Sequence, residues 1–465
     1  MCIMKRLFYL FMFLFPGILS AQQNSFKSSP LDYMWMNVGN AGFSMGEAKF
    51  TSLAISPSGE PYIAFQDWAN SKKASVMKFD GNTWVNVGNA GFSSDVAWCL
   101  DLAFSPNGQV YVSFEDRANS YKTTVMKFDG NNWVVVGTGG FSAGEANYTT
   151  LAFSLTGQPY VAYQDSVNFK KATVMKFDGT NWMKVGSAGF SSGEADYTNI
   201  AFSLAGQPYV AYQDWGNSQK ATVMKFDGTN WVNVGPAGFS GNSAGYTSLA
   251  FSASGEPCVA FSYGNYGVTV MKFDGTNWTN VGNAGFSEGN ASFISLAFNP
   301  VDGLPYVAYK DIYNFGKATL SKFDGNNWAY VGINGFSVFD ADYTSLAFNL
   351  SGHPFIAYED YANSQEATVM KYDSVFVGVN EPKESRLLFY PNPSTDQITI
   401  ETINSSTQSH LSVTNFIGQP CITSQITGSK TQIDISNLPS GIYFIRLTNE
   451  KAVELGKIIK LSRYP

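Results

Sequence analysis

An acidic residue and an amide recur three positions apart along most of the chain, and both types suit hydrogen bonding to hydroxyl groups. Trp or Tyr follows the Asp directly in three copies. Sugars bind to such sets because their C–H faces lie on aromatic rings while their hydroxyls pair with carboxylates and amides. The predicted ligand-binding residues are Asp67, Trp68, Asn70, Asp116, Asn119, Asp165, Asn168, Asp214, Trp215, Asn217, Asp311, Asn314, Asp360, Tyr361 and Asn363.

The same residues also have a structural interpretation. Asp and Asn stabilise turns by bonding to their own backbone, which requires no ligand. The pattern is interrupted once, at Tyr263. If the residues do bind, several weak sites on one rigid scaffold would add avidity towards a repetitive polymer. The pattern alone leaves both interpretations open.

Catalytic residues are hard to find in this sequence. His353 and His410 are its two histidines, and Arg117 is the one arginine of the region that holds the repeats. These are too few for a histidine-based triad or a zinc site. Paired carboxylates for a glycosidase could come from Glu47, Glu145 and Glu194, but residues repeated in successive copies argue against one unique site. We predict no catalytic residue, no metal and no cofactor.

A repeat of about 49 residues organises the chain. Trp recurs at positions 35, 84, 133, 182, 231, 278 and 328, and such a fixed period indicates a repeat architecture. One unit contains four strand candidates separated by turn residues, at Trp182–Val185, Tyr197–Ser203, Pro208–Gln213 and Ala221–Phe226. Four short strands without a helical period are typical of a propeller blade. We therefore predict an all-β chain with a seven-bladed β-propeller over residues 32–379.

The positions at which the repeats begin and end predict how the propeller closes. The chain begins with a lone Trp35 strand, and the last repeat stops at Asp373 without a following Trp. We expect the Trp strand to be outermost in each blade, so the Trp35 strand should complete the blade that begins near Tyr343. That pairing covers two sheet edges.

Two further motifs recur in the units, and both favour structural roles. Gly-Phe-Ser occurs between blades in all seven units, and we expect its Phe to fill a blade interface. The Phe-Asp-Gly turn before six of the seven repeat tryptophans suits a hairpin. It resembles the Asp-box hairpin of sialidase-like propellers, although Asp and Gly are adjacent here.

The C-terminal region has a different pattern. A polar linker at residues 380–386 precedes alternating strands, and the motifs Y-P-N-P, L-P-S-G-I-Y-F-I-R-L and K-I-I-K follow in that order. This order resembles the C-terminal sorting domains (Por-type) of type IX secretion cargo in Gram-negative bacteria. Strands with Pro and Gly turns predict a small Ig-like β-sandwich over residues 387–465, and the resemblance implies the type IX secretion machinery as partner. A generic Ig-like accessory domain is the alternative.

The N-terminus predicts export. Lys5 and Arg6 precede an apolar run from Leu7 to Leu19, and small residues end at Ala21, which indicates a signal peptide over residues 1–21. An uncleaved membrane anchor is the alternative. No later segment is apolar enough to span a bilayer. The net charge of −7 argues against nucleic acid as a partner. We expect a protein that is secreted or held on the outer cell surface of a Gram-negative bacterium.

The function predicted from these observations is binding or adhesion, with lectin-like, multivalent recognition of glycans by the propeller loops. One alternative is a protein-interaction scaffold without a small ligand, with surface proteins as partners. A second alternative is a polysaccharide-acting hydrolase or lyase. Binding requires Asp214, Trp215 and Asn217 to converge in an open pocket. A scaffold requires the same side chains to be used in loop hydrogen bonds.

Overall fold

The chain divides into two compact units, of which the larger contains Tyr33–Ser374. The computed structural model describes residues 32–375, 387–402, 409–415, 419–426, 428–448 and 453–462. The predicted signal peptide, residues 1–21, and the predicted linker, residues 380–386, lie outside the described residues.

The larger unit consists of seven four-stranded antiparallel sheets, which we number as blades 1 to 7. Inner strands of neighbouring blades contact one another and surround the centre. The inner strands are Ala48–Ile55, Ala97–Phe104, Ala146–Phe153, Ala195–Phe202, Ala244–Phe251, Ala291–Phe298 and Ala341–Phe348. The second strands are Pro61–Asp67, Val110–Asp116, Pro159–Asp165, Pro208–Asp214, Pro257–Tyr263, Pro305–Asp311 and Pro354–Asp360.

The remaining two strands complete each blade outward. The third strands are Lys73–Phe79, Lys122–Phe128, Lys171–Phe177, Lys220–Phe226, Val268–Phe273, Lys317–Phe323 and Glu366–Val375. The outer strands of blades 1 to 6 are Trp84–Asn86, Trp133–Val135, Trp182–Lys184, Trp231–Asn233, Trp278–Asn280 and Trp328–Tyr330. The predicted fold class, an all-β chain with a seven-bladed propeller, is confirmed.

Short 3-10 turns connect the second strand to the third in most blades. They are Trp68–Asn70, Arg117–Asn119, Ser166–Asn168, Trp215–Asn217, Gly264–Tyr266 and Tyr361–Asn363. Nothing helical in the described ranges approaches the length or hydrophobicity that a membrane-spanning helix needs.

Blade 7 is closed by the first described strand of the chain. Asp32–Asn37 pairs with Glu366–Val375, so the outer strand of this blade comes from the opposite end of the propeller sequence. The indole Nε1 of Trp35 donates to the Val331 carbonyl oxygen at 2.9 Å. The closure predicted from the lone Trp35 strand is confirmed.

Every blade is joined to the preceding one by a tryptophan–phenylalanine stack. Trp182 in blade 3 lies on Phe141 with ring centroids 3.9 Å apart, and its Nε1 donates to the Val136 carbonyl oxygen at 2.8 Å. Phe141 belongs to blade 2, since its N–H donates to the Thr123 carbonyl oxygen. The seven pairs are Phe43–Trp84, Phe92–Trp133, Phe141–Trp182, Phe190–Trp231, Phe239–Trp278, Phe286–Trp328 and Phe336–Trp35.

Each inner strand contains a β-bulge near its start. In blade 4 the pairing register shifts between Asp196 and Asn199, and Tyr197 has a φ of +53°. This left-handed backbone is costly for a bulky side chain, by about 1–3 kcal/mol. It recurs at the same place in each blade, with φ between +47° and +55°. These residues, which we call the central positions, are Phe50, Cys99, Tyr148, Tyr197, Tyr246, Phe293 and Tyr343.

The bulge changes where the inner strand begins. The strand predicted to start at Tyr197 starts at Ala195, because Ala195 and Asp196 pair with Asp214 and Gln213 before the bulge. The paired segment on both sides of Tyr197 holds its unusual backbone in place.

The C-terminal unit is a two-sheet β-sandwich, as predicted. Its sheets share one apolar core that includes Ile398, Ile400, Leu411, Val413 and Ile445. One sheet contains Leu387–Tyr390, Gln397–Thr402 and Lys430–Asp434, and the other contains Ser409–Thr414, Pro420–Ile426, Gly441–Thr448 and Val453–Lys460.

Removing one interface stack should weaken the whole propeller. Trp182→Ala removes the stack on Phe141, the Nε1 hydrogen bond and a buried ring, so we expect the free energy of unfolding to fall by about 3–5 kcal/mol. Met183→Ala, at the next residue on the same strand, is the control because Met183 is 49% exposed, and it should change the value by no more than about 0.5 kcal/mol. Chemical denaturation measures both, and equal small effects would contradict the role given to the stack.

Candidate functional site

The predicted ligand set is used mainly in hydrogen bonds within its own loops. In blade 1, Asp67 caps the turn Trp68–Asn70, and its Oδ1 accepts from the Asn70 backbone N–H at 3.2 Å. Its Oδ2 accepts from Asn70 Nδ2 at 2.8 Å and from Ser75 Oγ at 2.7 Å. Every predicted aspartate has at most 4% of its surface exposed. The same carboxylate–amide bond joins Asp116–Asn119, Asp165–Asn168, Asp214–Asn217 and Asp360–Asn363.

This network extends to the Gly-Phe-Ser segment. Ser75 Oγ also accepts from the Gly91 N–H at 2.8 Å. Gly91 has a φ of +61°, and a Cβ placed there would lie 2.8 Å from the Asn70 Cβ, so this position needs glycine. The network therefore holds Phe92 against Trp133 of the next blade. Turn chemistry accounts for the recurring Asp and Asn, and their role as direct ligands stays a prediction.

Blades 5 and 6 depart from this network. Tyr263 stands in the capping position of blade 5 and its side chain makes no cap hydrogen bond. In blade 6, Asp311 Oδ1 accepts from the Asn314 N–H at 3.2 Å, while its buried Oδ2 has no hydrogen-bond partner within the described chain. Burial raises the pKa of Asp311 above its ordinary value.

A cavity of about 340 Å³ lies at the centre of the propeller, lined by three residues from each inner strand. In blade 4 these are Tyr197, Thr198 and Asn199. They follow Ala195, which pairs with Asp214 at the end of the second strand. The cavity therefore lies towards the face that carries the Asp–Asn loops, which we call the loop face.

Six of the seven central positions are aromatic, and neighbouring rings contact one another around the cavity. The ring centroid of Tyr197 lies 4.9 Å from that of Tyr148 and 4.6 Å from that of Tyr246. The series continues through Phe293 and Tyr343 to Phe50, with separations of 5.4, 4.6 and 4.8 Å. It is interrupted at Cys99.

Hydrogen bonds between blades make the cavity wall continuous. The third lining residue of each inner strand accepts a backbone N–H from the next blade. Asn199 Oδ1 accepts from Leu249 N at 2.8 Å, and Ser52 Oγ accepts from Leu102 N at 3.0 Å. Such a bond is present at all seven interfaces. The wall is therefore a preorganised surface of aromatic rings, hydroxyls and amides.

Exposed aromatic side chains of the loops reach towards the same cavity. Trp215 is 49% exposed, and its Nε1 donates to Asp196 Oδ2 at 2.9 Å. The Tyr361 hydroxyl donates to Asp342 Oδ2 at 3.3 Å. Since Asp196 and Asp342 immediately precede two central tyrosines, both aromatics lie close to the cavity mouth. Trp68 is also partly exposed and donates to Gln66.

Blade 2 departs most from its neighbours at the cavity. It lines the cavity with Cys99, Leu100 and Asp101, where blade 4 has Tyr, Thr and Asn. Asp101 is the one charged residue in the lining. Beside it, Trp98 is 38% exposed and its ring lies 5.8 Å from that of Phe50. The symmetry of the cavity is broken on this side.

Three carboxyl groups near the loop face have pKa values raised to about 6 or 7. Burial raises the pKa of Asp101 to about 6, although Ser52 Oγ and the Leu151 N–H donate to it. Burial, together with the nearby Glu145 carboxylate, raises the pKa of Glu115 to about 7. Burial also raises the pKa of Glu359 to about 7. These groups change charge near neutral pH.

The central positions were missed by sequence reasoning, because an aromatic residue at the start of a strand is an ordinary core residue. The available signal was the repetition itself: Tyr or Phe occupies this place in six units and Cys99 in the seventh. Metal binding finds no support in the described part of the chain, which contains no cluster of three or more His, Cys, Asp or Glu side chains suited to an ion.

Replacing Glu115 should change how stability depends on pH. Gln66 occupies the matching place in blade 1, where its Nε2 donates to the Ala97 carbonyl oxygen at 2.6 Å. The pKa of Glu115 is about 7 in the folded state against an ordinary 4.5, so its ionisation destabilises the fold as pH rises through 7. Glu115→Gln should raise the melting temperature at pH 8, and the gain should disappear towards pH 5.

The reverse exchange is a matched control. Gln164 in blade 3 donates to the Ala195 carbonyl oxygen and to Asp196 Oδ1, so Gln164→Glu should lower stability at pH 8, and by more than Glu115 does because its carboxylate also faces that of Asp196. A difference between Glu115→Gln and the wild type that is equal at pH 5 and pH 8 would contradict this assignment. Thermal unfolding between pH 5 and 8 measures both variants.

Several solved structures match much of the chain, but with low sequence identity and low TM-scores. PorZ, a surface component of the type IX secretion system of Porphyromonas gingivalis, has 13% identity and a TM-score of 0.45, covering 88% of this chain and 59% of its own. A lectin solved with alpha methyl fucoside has 15% identity and a TM-score of 0.41, covering 64% and 99%. An alpha-L-arabinanase of Penicillium chrysogenum has 9% identity and a TM-score of 0.43, covering 74% and 98%.

The C-terminal unit has a clear relative among known domains. No curated protein shows significant similarity to the sequence. Residues 388–461, however, match the family model of the secretion system C-terminal sorting domain. This domain marks proteins that are exported by type IX secretion in Gram-negative bacteria. The predicted localisation is confirmed. The chain carries a type IX sorting domain C-terminal to its propeller, and the protein is secreted or attached to the cell surface.

Proposed function

We propose that the exported protein binds carbohydrate on the loop face of its propeller and does not cleave it. The observation that supports this proposal is the wall of the central cavity, which combines six contacting aromatic rings with hydroxyl and amide groups. Sugar C–H faces pack on aromatic rings, and sugar hydroxyls need both donors and acceptors nearby. A preformed cavity lowers the entropic cost of binding.

The partly exposed aromatics near the cavity extend this surface. Trp215 and Tyr361 are held by hydrogen bonds to Asp196 and Asp342. A ring fixed in this way loses little conformational entropy when a ligand packs on it. A glycan chain whose end enters the cavity could continue over these rings.

This proposal differs from the multivalent one in where the ligand lies. The predicted aspartates are buried and hydrogen-bonded inside their loops, which disfavours six separate sites centred on them. The aromatic members of the predicted set, such as Trp215, remain available at the surface. The binding surface that we propose is therefore one continuous area around the cavity.

Most glycoside hydrolases use two carboxyl groups that flank the bond they cleave. The cavity lining contains a single carboxyl group, that of Asp101. This arrangement favours binding over hydrolysis. The loop hydrogen bonds of the predicted Asp and Asn side chains agree with the scaffold alternative, but that alternative gives the cavity no role.

Binding should be detectable with the purified full chain on a glycan and polysaccharide array. Trp215→Ala removes a ring that is 49% exposed, so it should weaken binding by about tenfold, which corresponds to about 1.4 kcal/mol. Leu155→Ala is the control, because Leu155 is 66% exposed in the turn between inner and second strands, on the opposite face. No saturable binding to any glycan would overturn the proposal.

The same samples test whether the protein cleaves what it binds. Bound glycans incubated with the full chain should show no new reducing ends, because a second carboxyl group is missing from the cavity lining, and no unsaturated ends. Product analysis by mass spectrometry measures this. Time-dependent cleavage that Asp101→Asn abolishes would instead support a hydrolase or lyase.

A further inference from the structure

The central cavity has one side that differs from the rest. Six of the seven central positions are aromatic, and Cys99 leaves a gap in the series of rings between Phe50 and Tyr148, with the Trp98 ring 5.8 Å from that of Phe50 on this side. Asp101, two residues along the same strand, provides the one charge in the lining. Both departures belong to blade 2, so the gap and the charge lie on the same side of the cavity. A ligand in this cavity would therefore have one preferred orientation.

The Asp101 carboxylate has acceptor capacity left for a ligand. Its Oδ1 accepts from Ser52 Oγ at 3.0 Å and its Oδ2 accepts from Leu151 N at 2.7 Å. A carboxylate has about four lone-pair sites, so each oxygen can accept again. Throughout the described chain, no Lys, Arg or His lies within ion-pair distance of Asp101.

A partly buried carboxylate that has no cation beside it is energetically unfavourable. Withdrawing such a charge from water costs free energy unless an opposite charge accompanies it. The faces of the surrounding rings also attract cations, because their π electrons are negative. The wall and the carboxylate thus favour the same kind of ligand group, a positively charged one.

Several carboxylates lie around the cavity mouth. Glu115 lies opposite Trp98 in the strand pairing, and Glu145 is close enough to raise its pKa. Asp196 and Asp342 hold the exposed aromatics described above. Two lysines offset part of this charge: Lys310 through its ion pairs with Asp340 and Asp342, and Lys49, which precedes the central position Phe50, through its ion pair with Glu47. A mouth rich in carboxylates attracts cationic ligands.

We propose that the cavity is a single site for an amine-bearing sugar, whose ammonium group lies against Asp101 in the gap that Cys99 leaves between the aromatic rings. This inference rests on the proposed carbohydrate binding and specifies its ligand class and its stoichiometry. Amino sugars provide both features that the wall requires, since their C–H faces fit the rings and their protonated amine is a cation.

Titration calorimetry of the full chain with two matched ligands tests the proposal. The glucosamine tetrasaccharide has free amines, whereas the N-acetylglucosamine tetrasaccharide has the same backbone without charge. We expect one bound glucosamine oligomer per chain and about tenfold or weaker binding of the acetylated one. Equal affinity for the two ligands, or several equivalent sites per chain, would overturn the proposal.

Asp101→Asn removes the charge and should leave the fold unchanged. Asn199 occupies the same place in blade 4 and accepts the N–H of the next blade at 2.8 Å, so an amide can replace the carboxylate without loss of the interface bond. The variant should lose the preference for glucosamine while keeping its melting temperature at pH 7 or raising it. Retention of the full preference would show that Asp101 does not select the amine.

Cys99→Tyr fills the gap with the residue that blade 4 has at this position. We expect this variant to fold and to bind the glucosamine oligomer at least about tenfold more weakly, while the Cys99→Ala control binds normally. Unchanged binding by a folded Cys99→Tyr variant would overturn the placement in the gap. Binding of neutral glycans on the array without any binding of glucosamine oligomers would overturn this inference alone, whereas the absence of all glycan binding would also overturn the proposed function.

Discussion

The stack of one tryptophan on one phenylalanine across each blade interface is the interaction on which the rest of the propeller depends. Each pair combines face-to-face contact with an indole hydrogen bond to the preceding blade, as Trp182 does with Phe141 and Val136. The Asp–Asn loops serve this contact, because Asp67 holds Ser75 and Ser75 holds the glycine that precedes Phe92. Residues that look like separate motifs in the sequence therefore form one connected interface.

The architecture could be predicted because its causes are local and periodic. The Trp period gives the number of blades, and the unpaired Trp35 strand gives the closure. The role of Asp67 could not be predicted, since turn capping and ligand binding favour the same residue types and only burial distinguishes them. The backbone conformation of Tyr197 could not be predicted either. A φ of +53° at an aromatic residue leaves no mark in composition or pattern.

The cavity illustrates a second limit of sequence reasoning. Its wall is made by seven strands that lie far apart in the chain, so the contact between Phe50 and Tyr343 becomes visible only once the propeller is closed. Near-identical blades produce a near-symmetric wall, in which a departure such as Cys99 with Asp101 stands out against six comparable positions. Because the other six blades are so regular, the departure in blade 2 can be recognised.

Closure by the first strand also affects how the chain folds. Trp35 and Val331, which it contacts, are 296 positions apart, and contacts of such high sequence separation form slowly. Until they form, the edge of Glu366–Val375 is unpaired and can accept an equivalent strand from another molecule. The concentration of unclosed chains thus determines how much strand exchange competes with closure, whatever the stability of the finished propeller.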